Sequence, residues 1–277
     1  MKYLTAFLCL ITVMPAIAQN TIGGTASIIP EAEVIRQSNF VGAEGERLLE
    51  HWDKAIELYQ NFVYKNDGYD AAWYGLARAF VGKKEYSAAL NAIAKAVALA
   101  PDNEWYRVEQ AELYEKTDRP KDAALVYADL TKRFPRSIPF YQKLAYFSVL
   151  SGDPKGGLKA LDRLEQLGGY NQEIADKRHV IYVALGDDKK AAAEWQRLVD
   201  AHPGEMKYRY RLAEFYTAAK DPGNARRVYE EILRREPNDP VAKLAMLQQG
   251  KSSSDAAYLA SLQPAFADPL VAIDAKI

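Results

Sequence analysis

Apolar residues recur along most of the chain with the three-to-four spacing of an amphipathic helix, and the blocks they form themselves recur. Pro101, Pro135, Pro203 and Pro237 stand 34, 68 and 34 residues apart. In the same register a column of small residues runs through Ala55, Ala89, Ala123, Gly157, Ala191 and Ala225, and a second through Ala43, Ala77, Ala111, Ala145, His179 and Ala213. Two aromatic columns accompany them: Phe80, Tyr114, Tyr182 and Tyr216, and Tyr59, Tyr127, Trp195 and Tyr229. The pattern predicts six uninterrupted units of 34 residues over 36–239, each a pair of helices with a break near its middle. Small columns let the two helices of a hairpin approach, and aromatic columns fill the space between hairpins. The expected fold class is all-α.

The breaks carry their own chemistry. Asp153-Pro154 and Asp221-Pro222 place a capping carboxylate before a proline at the first helical position, where its missing N–H costs nothing. Arg119-Pro120 occupies the same two positions. The period-ending prolines stop the second helix and turn the chain into the next unit.

The unit from Asp70 to Asn103 carries Trp73, Leu76, Ala77, Phe80, Ala89, Ala96 and Pro101. It thereby resembles the tetratricopeptide repeat at nearly every signature position, and the resemblance extends over Arg36 to Asp239. It implies a right-handed superhelical solenoid of antiparallel helix pairs, with the first helix of each pair lining a concave face. Two units depart from the pattern. The first has Asn39 and Gly42 where large apolar residues are preferred, and the fourth has Ser148 in place of an aromatic and ends in Gly168-Gly169. Both changes in the fourth unit remove packing or rigidity, so a soft joint is expected around Ser151 to Tyr170.

The ends read differently. Lys2, the apolar run Tyr3 to Met14 and the small residues Ala16 and Ala18 form a secretory signal over 1–18, with 19–35 as a linker. The apolar run is shorter than the ~20 residues a membrane span needs, so no transmembrane segment is expected in the mature chain. Export to the periplasm or outside follows. Cys9, the only cysteine, leaves with the signal, which suits an oxidising compartment. Over 240–277 the pattern weakens to a degenerate repeat with further helices. The chain is expected either to be truncated at Ile277 or to end there in a frayed turn.

Composition adds mainly exclusions. With 277 residues, 36 Lys+Arg against 37 Asp+Glu and a formal net charge of -1, the chain offers no basic field for nucleic acid. Three histidines leave little material for a metal site, and no cofactor is implied. Neither an H-E-x-x-H nor a G-x-S-x-G pattern occurs. Ala245 to Ser252 matches a relaxed phosphate-loop pattern, but a helix precedes it where a strand is required. His179, inside a small-residue column without a ligating neighbour, reads as a packing residue. No nucleophile–base constellation is present, so an enzyme is not expected.

The resemblance places ligand-facing positions at Phe40, Tyr74, Arg78, Trp105, Val108, Glu112, Gln142, Tyr146, Asp176, Val180, Tyr210 and Glu214. Family members that clamp a terminal carboxylate use Lys and Asn, where this chain has Phe40, Tyr74, Val108 and Glu44, Arg78, Glu112, so that function is not expected. What remains is an amphipathic groove with Tyr74, Trp105, Tyr146 and Tyr210 as aromatic anchors, suited to a protein or peptide ligand. The expected function is a non-catalytic binding scaffold of the cell envelope. The alternative is the N-terminal sensor or docking region of a larger exported or membrane-anchored protein whose effector part lies beyond residue 277.

Overall fold

The structure, a computed structural model, describes residues 30–250. The signal, most of the linker and everything after Gly250 lie outside these residues, as do Lys251 and Ser252 of the phosphate-loop-like segment. Ala245 to Gly250 of that segment are helical. Thirteen α-helices make up the described residues: α1 (Glu31–Leu48), α2 (Trp52–Lys65), α3 (Asp70–Gly82), α4 (Tyr86–Leu99), α5 (Glu104–Lys116), α6 (Pro120–Arg133), α7 (Ile138–Leu150), α8 (Pro154–Gly168), α9 (Gln172–Ala184), α10 (Asp188–Ala201), α11 (Met206–Ala218), α12 (Pro222–Arg235) and α13 (Pro240–Gly250). From α3 onward, first helices start at 70, 104, 138, 172, 206 and 240, and second helices from α2 onward at 52, 86, 120, 154, 188 and 222. Both series advance by 34. Each helix packs on the one before and the one after it in the chain, which gives a solenoid of helix pairs.

The small columns are where the helices meet: Ala43, Ala55, Ala77, Ala89, Ala111, Ala123, Ala191, Ala213 and Ala225 are fully buried. Tyr59, Tyr127, Trp195 and Tyr229 of the second aromatic column are buried between units. Two of these polar tips find carboxylates, the Tyr127 hydroxyl donating to Glu115 at 2.5 Å and that of Tyr59 donating to Glu44. His179 also packs, its Nδ1 against the Ala191 carbonyl oxygen at 2.9 Å and its ring 4.8 Å from that of Phe215. Phe40, expected on the ligand face, instead joins Tyr59, Phe62 and Tyr69 in an aromatic cluster, with ring separations of 5.2–6.3 Å. Phe40 is thereby drawn into the contact of α1 with α2 and the start of α3.

Turns inside the units share one device that the sequence pattern did not show. Glu50, Lys84, Asp118, Gly152, Gly186 and Lys220, again 34 apart, all adopt positive φ between 53° and 85°. The next residue then donates its N–H to a carbonyl five residues back, as in Asp153 to Ser148 at 2.8 Å and Asp221 to Tyr216 at 2.9 Å. This is a Schellman ending, which requires a left-handed residue. Asp153, Asp187 and Asp221 then cap the second helix by accepting from the N–H of Gly156, Lys190 and Asn224.

The fourth unit packs closely within itself and meets the fifth more narrowly. Ser148, in place of the column aromatic, is buried beside an open cleft of about 540 Å³ that Tyr141, Leu125 and Lys159 help to line. Its second helix, α8, meets α9 over a smaller interface than any other successive pair shares. Gly169, at φ +81°, makes the turn between them.

Candidate functional site

The first helices α3, α5, α7, α9 and α11 carry every residue of the expected groove except Phe40. Their exposures separate packing from display. Tyr74 is half-buried, its ring 4.8 Å from that of Tyr106, and burial pushes its phenol above the usual range despite the neighbouring Arg78. The Arg78 guanidinium sits 5.9 Å from the centre of the Tyr74 ring. Tyr210 donates its hydroxyl to Asp239 in the last turn between units, and burial with that carboxylate raises its pKa. Tyr74 and Tyr210 are therefore partly engaged in joining units. Trp105 and Tyr146 are not: they are 71% and 60% exposed. Glu112 and Glu214 are exposed, and Gln142 is half-buried.

Helices α7 and α9 frame a cleft of about 340 Å³. Tyr146, Val149 and Leu150 of α7 form one wall, Val180 and Ile181 of α9 the other, and Leu161 of α8 contributes to the lining. Two charged side chains border it, but both are matched elsewhere: Asp176 accepts from Arg211 at 3.2 Å and Lys177 donates to Glu173 at 2.6 Å. The cleft thus presents apolar surface with no unmatched charge, and Val180 is 63% exposed. An exposed apolar cleft rimmed by charged side chains is a candidate interaction site.

The structure brings Tyr146, Asp176 and Val180 together in this cleft, whereas Tyr74, Arg78, Trp105, Glu112, Tyr210 and Glu214 do not line it. Val149 and Leu150 were missed, because the resemblance supplied at most three positions per first helix. The available signal was the composition of α7, IPFYQKLAYFSVL, which is apolar nearly all round. A helix of that kind has a second apolar face to cover.

The junction behind the cleft is polar. Arg178 of α9, 4% exposed, donates to Asp162 at 2.6 Å and to Glu165, and lies 3.9 Å from Glu194. Arg197 of α10 reaches Glu165 at 2.6 Å and Glu194 at 3.7 Å, and stacks over the Tyr170 ring at 3.8 Å. Tyr170 donates to the Glu194 carbonyl oxygen at 2.7 Å. Burial raises the Glu165 pKa, but hydrogen bonds from Arg197 and Arg178 outweigh it, so the carboxyl is held below its ordinary value. Among the described residues no three His, Cys, Asp or Glu side chains gather as a metal site, and no helix is long and apolar enough to cross a membrane.

Residues 48–104 and 181–240 match the tetratricopeptide repeat family model. The TPR repeat-containing protein MJ1428 of Methanocaldococcus jannaschii is 25% identical over 155 residues, which is 55% of this chain and 27% of that protein. The structure of Naa15/Naa10 bound to HypK-THB superposes with a TM-score of 0.65 at 15% identity, covering 81% of this chain and 36% of the matched one. YrrB, a TPR protein with an unusual peptide-binding site, gives a TM-score of 0.49 at 15% identity over 62% of this chain and 89% of its own. The chain spans about a quarter to a third of the length of the first two proteins. With its 34-residue helix pairs, paired small-residue columns and superhelical stacking, the chain belongs to the tetratricopeptide repeat family.

Proposed function

We propose that the chain is a non-catalytic scaffold that takes up an apolar segment of a partner protein or peptide in the cleft between α7 and α9. The observation that carries this reading is the pairing of an exposed Tyr146 and an exposed Val180 across a cleft whose bordering charges are already matched. Tetratricopeptide repeat proteins serve as protein-binding scaffolds, and anchors carried on folded helices lose less freedom on binding than those of a disordered segment. Trp105 and Arg78, on neighbouring first helices, extend the contact face.

Peptide display against the full chain, followed by binding to Tyr146→Ala/Val180→Ser, tests this. Selected peptides should carry apolar anchors and lose about tenfold or more in affinity to the variant, the effect of removing two central contacts. An unchanged unfolding midpoint would show that packing is intact. Peptides that bind parent and variant equally would refute the cleft as the site.

We further propose that the protein works in the cell envelope after removal of 1–18. N-terminal sequencing of the protein from fractionated cells should begin at Gln19 in the exported fraction, and an uncleaved cytosolic protein would overturn this. The greater length of two of the matched proteins favours a second reading, in which these repeats are the N-terminal sensor or docking region of a larger exported or membrane-anchored protein. An open reading frame continuing past Ile277 would select it.

A further inference from the structure

Trp73, Arg107 and Arg209 occupy one and the same place in three units, and each donates an N–H to a carbonyl oxygen six residues earlier: Asp67 at 2.7 Å, Pro101 at 3.0 Å and Pro203 at 2.9 Å. For Arg107 the remaining charge is met by Asp129 at 3.2 Å. In the unit of Arg209 the place of Asp129 is taken by Glu231, yet no carboxylate among the described residues lies within 4.0 Å of Arg209, and Glu231 approaches Arg234 instead, at 4.0 Å. Arg209 is nevertheless only 4% exposed, and its buried Nε has no hydrogen-bond partner among the described residues. A buried guanidinium with neither counter-ion nor full hydrogen bonding is costly. Burial and the neighbouring Arg235 both depress its pKa, against partial compensation from Glu231 and Asp200.

Arg209, Arg234, Arg235 and Glu231 line a cleft of about 360 Å³ at the edge of the solenoid. Three guanidinium groups against one carboxylate leave two positive charges. Arg234 and Arg235 lie in the last turn of α12, where the helix dipole favours cations. The dipole does not account for Arg209, in the first turn of α11, where it disfavours a cation and favours an anion. We propose that this cleft binds a dianionic tetrahedral oxyanion of the phosphate class, held by Arg209, Arg234 and Arg235, with Glu231 as the competing internal carboxylate. Guanidinium forks match the oxygen spacing of such an anion, and two excess charges match its valence. The site is formed by α11 and α12 and shares no residue with the apolar cleft, so the two stand or fall separately.

The test is calorimetric titration of the full chain at constant ionic strength with inorganic phosphate and, in a second arm, with a neutral peptide bearing one phosphoserine. Chloride serves as control. Saturable phosphate binding is expected. Arg234→Gln/Arg235→Gln should weaken it by about tenfold or more, as expected for losing charge-assisted hydrogen bonds. Glu231→Gln should tighten it. Peptide binding tighter than phosphate identifies a protein-borne group as the source, and equal binding identifies the free anion. No saturable heat, a response indifferent to Arg234→Gln/Arg235→Gln, or weaker binding in Glu231→Gln would overturn the proposal.

Discussion

Replacing Arg178 by methionine removes the centre of the charged network that joins α8, α9 and α10 behind the apolar cleft. Two short bonds to Asp162 and Glu165 are lost, and Glu194, whose side chain is 9% exposed, keeps Arg197 at 3.7 Å as its cationic neighbour and the Tyr170 hydroxyl at 3.0 Å as a donor. Breaking a buried pair by removing one partner costs about 3–5 kcal/mol. Two circumstances lower the figure: the Asp162 side chain is 60% exposed and returns to water, and Glu165 retains Arg197 at 2.6 Å. The expected loss is therefore about 2–4 kcal/mol, and adding Glu194→Gln to the variant should recover about 1–2 kcal/mol by neutralising the stranded carboxylate. Urea unfolding of the full chain, followed by circular dichroism and by fluorescence in a background where Trp52, Trp73 and Trp105 are replaced by Phe so that Trp195 is the reporter, measures both. Because a solenoid unfolds as coupled neighbours, the Trp195 signal should move first. The sign with pH is also fixed. Glu165 has its folded pKa held below the ordinary 4.5, so its contribution is present above that value and is lost as pH falls through the folded pKa. The gap between parent and variant should narrow below about pH 4.5. A loss under about 1 kcal/mol, or no recovery in the double variant, would refute the account of this junction.

Other consequences can be read in the same unfolding assay. A Cβ at Gly75 would lie 2.5 Å from the fully buried Tyr59 ring, so Gly75→Ala should lose about 1–2 kcal/mol although alanine ordinarily favours a helix; a gain would contradict the packing. Lys220, at φ 57°, carries left-handed strain that glycine relieves, and Lys220→Gly should gain about 0.5–1 kcal/mol after the entropy cost of glycine. Burial holds Glu109 above its ordinary pKa, with Arg78 opposing less strongly, so its contribution falls as pH rises through the folded value. Glu109→Gln should accordingly raise the thermal midpoint at pH 7, and the difference should vanish near pH 4. Trp105→Ala should change stability by less than about 0.5 kcal/mol, because the ring is largely exposed.

The helices were legible because side-chain size alone encodes them. Alanine columns mark where helices touch, aromatic columns mark where units touch, and prolines mark where they stop. The turns were less legible. A left-handed residue is required at six places, yet only Gly152 and Gly186 announce it, while Glu50, Lys84, Asp118 and Lys220 look like any surface residue. The candidate site was legible only in part. Position in the repeat identified Tyr146 and Val180, but could not tell that Tyr74 and Tyr210 are drawn into contacts between units, since that depends on Tyr106 and Asp239 arriving from the next unit. The Arg178 network was invisible for the same reason, its partners lying 13 to 16 residues and one turn away.

The shared bond of Trp73, Arg107 and Arg209 bears on how such repeats are recognised at all. What that place in the unit requires is an N–H at a fixed reach from the preceding turn, backed by a flat group that covers the helix end, and tryptophan and arginine both supply it. A template written in terms of aromatic identity counts an arginine at that place as a mismatch, although the backbone is held in the same way and the unit of Arg209 still lies within a matched segment. A template written in terms of donor and reach would read Arg107, which lies in the stretch between the two matched segments, as in register with Trp73.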